Sequence, residues 1–179
     1  MSWRHALPFR FPARWARVVL TLFAFAFAVP ALAALFGADS RNIREEVHAA
    51  GLNGRRLAVF FELPDCAECL KMKRRVFSSR RAEASFGRLY RTARINLASD
   101  SPVIDAQGNA RRPQEIAEHL RIFAAPSLAF FTPDGKLEYR HTGSLTQPSE
   151  FLLLGRFVSE AAYEKEPFSH YLLRLSPKH

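Results

Sequence analysis

Apolar and polar positions change period several times along the chain, and each change marks an element. "RLAVFFE" (Arg56 to Glu62) is almost unbroken in its apolar character and carries Val59 and two phenylalanines. That pattern predicts a strand buried on both faces. Pro64 and Asp65 break it. From Ala67 the period becomes helical: Cys69, Met72 and Val76 share one face, Leu70 and Phe77 lie beside it, and Lys71, Lys73, Arg74 and Arg75 fill the other. "RTARINLAS" (Arg91 to Ser99) alternates through Ala93, Ile95 and Leu97 and predicts a second strand, whereas "SDSPVIDAQGNARR" is turn-rich and reads as a surface loop. Pro113 opens a helix in "PQEIAEHLRIF", at the position where proline costs no hydrogen bond. Ser127 to Thr132 reads as a strand, Pro133-Asp134-Gly135-Lys136 as a turn, and Leu137 to His141 as the hairpin partner. "QPSEFLLLGRFVSEAAYEK" is an amphipathic helix with Phe151, Leu154 and Val158 on one face. Strand, helix, strand, helix, hairpin, helix predicts an α/β domain with a mixed sheet.

The N-terminus has the pattern of an address. Arg4, Arg10, Arg14 and Arg17 precede an acid-free apolar stretch from Val18 to Phe36, which Pro30 interrupts and Ala31-Leu32-Ala33 follows with small residues. These are the three regions of a secretory signal, with cleavage expected after Ala33. The alternative is an uncleaved anchor, since the 19 residues from Val18 to Phe36 suffice to span a bilayer. Either reading places the domain outside the cytoplasm, in the periplasm. The expected division is a signal at 1–33, a helical lead-in at 34–50, a domain at 51–162 and an aromatic tail at 163–179.

Composition narrows the class. A length of 179 residues suggests one domain, and 48% hydrophobic with 24% charged residues suits a globular one. The formal net charge is +9, but four of the arginines belong to the signal, which leaves 22 basic against 17 acidic residues. Acids interleave with the remaining basic residues in "RNIREE" and "RRAEASFGR". A solvated, mildly basic surface is expected, without a nucleic-acid partner. The chain shows no phosphate-binding glycine loop, paired carboxylates or Ser/His/Asp arrangement.

Cys66 and Cys69 are the two cysteines of the chain. A structural disulfide is the usual use of such a pair in an exported protein. Residues this close enclose a very small ring and restrict the unfolded chain little, so the spacing points to chemistry instead. At a helix N-terminus, unpaired amides and the helix dipole stabilise a thiolate on Cys66. Cys69, one turn later, faces the core. One accessible and one sheltered sulfur is the arrangement that thiol exchange requires.

These residues carry a resemblance. Cys66 to Phe77 follow C-x2-C-x2-M-x3-V-F, and "INLASDSPVIDAQG", "AAPSLAFFTPDGK" and "YEKEPFSHYL" extend the match over about Gly51 to Leu172. The chain resembles thioredoxin-fold proteins, a central mixed β-sheet flanked by helices, and among them the periplasmic thioredoxins of sulfur-oxidation gene clusters, the SoxW-like group. The resemblance implies that Cys66 attacks and Cys69 resolves. It implies that Pro126 is a cis-proline facing the pair, and that the Ala125 backbone pairs with an extended substrate segment. It further implies a monomer that needs no cofactor, acts on thiols and disulfides of exported proteins, and receives electrons from a membrane reductase of the DsbD type.

The departures also inform. Asp65 stands where thioredoxins carry Trp, and Phe60 stands where they bury an Asp. The nearest strand carboxylate is Glu62, either the base for the Cys69 thiol or a solvated strand-end residue. Asp65 and Glu68 oppose a thiolate while Lys71 partly offsets them, so a reducing rather than an oxidising pair is expected. The alternative function is a copper carrier using both thiolates, because soft thiolates suit Cu(I). The six histidines are scattered, and His119 reads as a surface residue. Phe168, Tyr171, Leu172 and Leu175 in the tail form a stripe suited to docking a partner or to packing on the parent domain.

Overall fold

The computed structural model describes residues 35–37 and 39–175; the segment read as a signal, 1–33, lies outside the described residues. Four strands form one sheet in the order β2-β1-β5-β6, comprising β1 (Arg56–Glu62), β2 (Tyr90–Asn96), β5 (Ser127–Phe131) and β6 (Leu137–Thr142). β1 pairs with β2 in parallel and with β5 antiparallel, and β5 pairs antiparallel with β6. The mixed sheet expected from the element order is therefore present.

β1 is buried on both faces, as its apolar run requires. Ala58 and Phe60 point into one apolar cluster, and Leu57, Val59 and Phe61 point into another. The first cluster is roofed by α2 (Ala67–Met72), α3 (Arg80–Leu89), α5 (Pro148–Ser159) and α6 (Phe168–Leu175). The second is covered by α1 (Ile43–Gly51) and α4 (Pro113–His119). Asn42 caps α1 by accepting from the Glu45 amide at 3.0 Å, and Pro113 opens α4 as its position predicted. Among the described residues no helix is long and apolar enough to cross a membrane.

Three features differ from the sequence reading. The helix that begins at Ala67 passes into a π-helical turn at Lys73–Phe77. The extra residue in that turn advances the phase, so Phe77 is buried while Leu70 is 40% exposed and does not join it. Between this turn and β2 lies a separate helix, α3, which Ser79 caps by accepting from the Ala82 amide. The turn-rich stretch holds two short paired strands, β3 (Val103–Ile104) and β4 (Ala110–Arg111), in place of a simple loop. Asp105 anchors them: it is buried and accepts from the Gln107 amide at 2.9 Å, the Asn109 amide at 2.8 Å and Arg111 Nε at 2.9 Å. Burial alone would raise the pKa of Asp105; the bonds from Asn109, Arg111 and Gln107 outweigh it and hold the group below its usual value.

The tail helix packs on the parent domain. Phe168 and Tyr171 are buried against Phe157, with ring centroids 5.3 and 5.1 Å away, and the Tyr171 hydroxyl donates to Glu160 Oε2 at 2.9 Å. Leu175 stays 38% exposed.

α3 and α5 pack closely in the larger cluster. The Tyr90 hydroxyl donates to the Gly155 carbonyl at 2.8 Å, and the Phe86 ring lies between Tyr90 (4.5 Å) and Phe151 (4.2 Å), stacked on both. A Cβ at Gly155 would meet that ring at 2.9 Å, closer than carbon atoms pack, so the ring or one of the helices must shift to admit it. Gly155→Val is expected to cost about 1–3 kcal/mol through overpacking. Urea unfolding followed by circular dichroism reads this as a lower midpoint at unchanged slope. An unchanged midpoint would show that the helices can separate freely.

Candidate functional site

The cysteine pair sits just beyond the end of β1. After Glu62, Leu63 to Asp65 turn the chain, and the Cys66 amide donates to the Leu63 carbonyl at 3.3 Å. Cys66 is the N-cap of α2, and its Sγ accepts from the Cys69 amide at 3.0 Å. The two sulfurs are joined in a disulfide with an S–S distance of 2.06 Å and a Cα–Cα distance of 5.2 Å. Cys69 is fully buried beside Met72 in the larger cluster, whereas Cys66 is half-buried and packs at its margin. The unequal access expected from helical phase is thus present in the structure.

The segment before β5 comes to the same end of the sheet. Antiparallel register pairs Phe61 with Ser127, so residues 124–126 lie next to the turn that leads into Cys66. The Ala125–Pro126 peptide is cis. Pro126 is buried, its carbonyl accepts from the Gly143 amide at 2.9 Å, and Ser127 Oγ donates to the Ala124 carbonyl at 2.7 Å. Ala125 packs against the same cluster as Cys66.

Glu62 is not a solvated strand end. Its side chain is 8% exposed, with Lys73 Nζ 2.7 Å from Oε2 and Arg94 Nε 3.3 Å from Oε1. Arg94 also reaches Asp39 Oδ1 at 2.9 Å. Alternation along β1 puts Glu62 on the same side as Phe60, the side that α2 covers. Lys73, read as a solvent-facing residue, lies four residues after buried Cys69 and so on the same side of the helix, where it is partly buried. Glu62, Lys73 and Arg94 come from three separate elements and meet through strand register and the packing of α2 on β1.

Charge at the mouth of the site is mixed. Asp65 is exposed, and Glu68 accepts from Lys71 Nζ at 2.5 Å. Hydrogen bonds from Lys71 and then from Ser144 hold the Glu68 carboxyl below its usual pKa, so a carboxylate stands between the two cysteines in the chain at neutral pH. Leu63 and Leu70 flank the pair in the chain and are exposed, and Phe123, just before the Ala124–Pro126 segment, is 81% exposed. The sequence reading did not single out Phe123, which precedes the Ala124-Ala125-Pro126 turn; its signal was an aromatic residue next to a turn with no helical or strand period to absorb it. His119 is exposed on α4, and His141 packs edge-on to Phe168 with centroids 5.6 Å apart. Among the described residues, no group of three or more His, Cys, Asp or Glu side chains is arranged to hold a metal.

Comparison with known proteins agrees with this architecture. The family model described as a thioredoxin-like domain matches residues 43–159. Among solved structures, a thioredoxin-fold protein from Helicobacter pylori is 16% identical, with 81% of this chain and 89% of that one covered and a TM-score of 0.56. A thioredoxin from Thermus thermophilus is 22% identical over 68% of this chain and 88% of that one, at a TM-score of 0.53. The C-terminal domain of Neisseria meningitidis DsbD in its oxidised form is 11% identical over 68% and 99%, at 0.51. No curated protein matches by sequence. These structural likenesses establish the fold, and the family model, spanning well over half of the chain and enclosing the Cys66–Cys69 pair, establishes that the chain belongs to the thioredoxin-like family.

Proposed function

We propose that the protein is an exported thiol–disulfide oxidoreductase that reduces disulfides in other exported proteins. The observation that carries this reading is the disulfide at the start of α2, with one sulfur half-buried on the helix cap and the other enclosed in the core. In the reduced protein the Cys66 thiolate attacks one sulfur of a substrate disulfide. The substrate S–S bond breaks, a mixed disulfide forms, and the first substrate thiolate takes up a proton. Cys69 then loses its proton and attacks Cys66 Sγ, expelling the second substrate thiolate and closing the Cys66–Cys69 bond. Two electrons pass from the pair to the substrate, and a dithiol donor of the DsbD type restores the reduced state.

Neighbouring residues take defined parts. The Cys69 amide and the start of α2 stabilise the Cys66 thiolate. Glu62, the buried carboxylate on the α2 side of β1, takes the Cys69 proton. The Ala125 backbone pairs with an extended substrate segment, and exposed Leu63, Leu70 and Phe123 offer it apolar contact. Asp65 and Glu68 weaken the thiolate, which favours reduction of the substrate over its oxidation. Export rests on Arg4 to Ala33, and the SoxW-like subgroup on the quoted sequence segments.

Limited alkylation of the fully reduced protein is expected to label Cys66 at least about tenfold faster than Cys69, following access and thiolate character. Equal labelling, read by mass spectrometry, would contradict the division of roles. A Cys69→Ser variant should accumulate a mixed disulfide through Cys66 with its substrates and lose insulin reduction; retained reductase activity in that variant would overturn the proposal. Glu62→Gln should slow resolution of the mixed disulfide about ten- to hundredfold while leaving the first attack unchanged. Quenched-flow trapping separates the two steps, and an unaltered resolution rate would reduce Glu62 to the ion-pair partner of Lys73 and Arg94.

A further inference from the structure

A groove separate from the cysteine pair lies along α3 and α5. The two helices and the end of α6 enclose a groove of about 510 Å³, within the range of small-molecule pockets. Phe86 and Gly155 line it where the helices approach each other, and Leu89, Leu152, Leu153 and Leu175 supply further apolar surface. Leu89 and Leu175 are each 38% exposed, although apolar. Three arginines also line the groove: Arg81 and Arg88 from α3, and Arg156 from α5. Arg156 is held by Glu160 at 3.1 Å, while Arg81 and Arg88 carry no ion pair among the described residues. They stand two helical turns apart, about 10 Å along α3. No acidic side chain lines the groove among the described residues. The groove shares no residue with the Cys66–Cys69 turn or with the Ala125–Pro126 segment.

Two chemistries are therefore combined: a recessed apolar surface and uncompensated guanidinium groups. A neutral apolar ligand would leave Arg81 and Arg88 unused, and a small inorganic anion would leave the leucines wet. A single alkyl chain ending in a carboxylate satisfies both, with the chain between the helices and the head group on a guanidinium. A bilayer surface fits less well, since the apolar side chains line a recess rather than project from a face. From this geometry we infer that the α3–α5 groove binds one fatty-acid carboxylate of about twelve carbons, independently of the thiol chemistry.

The test uses the full chain and dodecanoate below its micellar concentration. Calorimetry is expected to show saturable binding of one dodecanoate per chain, and amide chemical shifts should move in α3, α5 and the end of α6. The Arg81→Glu/Arg88→Glu variant should bind about tenfold more weakly, with its circular dichroism and Cys66 alkylation unchanged. Dodecanol should bind more weakly than dodecanoate. Absence of saturable dodecanoate binding by the unaltered protein would overturn the inference, as would dodecanol binding equally well. Association with phosphatidylglycerol vesicles without binding of monomeric dodecanoate would also overturn it and assign the face to membranes. None of these results bears on disulfide reduction, so the two proposals fail separately.

Discussion

Double burial of β1 is the constraint from which the site follows. A strand with an apolar cluster on each face cannot slip by one residue without turning Phe60 or Phe61 toward the wrong layer. Its register with β2 and β5 is thereby set, and so is the point where it ends. That point places Cys66 at the mouth of α2 and brings the Ala124–Pro126 turn beside it from the neighbouring strand. The same alternation aims Glu62 at the α2 side, where Lys73 and Arg94 meet it. A carboxylate so enclosed is tolerated because both cations reach it; leaving it unpaired would incur the full desolvation penalty of a buried charge.

Local electrostatics divides into two opposed parts. The Cys69 amide and the free N–H groups at the start of α2 favour a thiolate on Cys66. Glu68, held ionised by Lys71 and Ser144, and exposed Asp65 act against it. Lys71 neutralises Glu68 only partly, because that pair is open to solvent and strongly screened. The helix start and the flanking carboxylates therefore act on a Cys66 thiolate in opposite senses, and the balance between them sets how readily the pair gives up its electrons.

Elements with a strong local period were legible in the sequence. The unbroken run of β1, the alternation through Ala93 and Ile95, the Pro-Asp-Gly turn between β5 and β6, and the Phe151/Leu154/Val158 face of α5 all correspond to what formed. The two cysteines and the proline were legible as residue types at telling positions. What escaped lacks a local signal. α3 follows the preceding helical segment after a break only at Ser78 and Ser79, so one charged stretch hid two elements. β3 and β4 are too short to show a period and depend on the hydrogen bonds of Asp105. The Glu62–Lys73–Arg94 cluster is assembled from three elements by strand register and by the packing of α2 on β1, which no local period announces.

The most direct measurement is the equilibrium reduction potential of the Cys66–Cys69 couple, obtained by poising the purified protein against dithiothreitol or glutathione and counting free thiols. A reducing pair of the kind described should equilibrate near the thioredoxin value of about −270 mV. A value near about −120 mV, as in DsbA-type oxidants, would mean that the helix cap dominates the flanking carboxylates, and would contradict the proposal that the protein reduces disulfides.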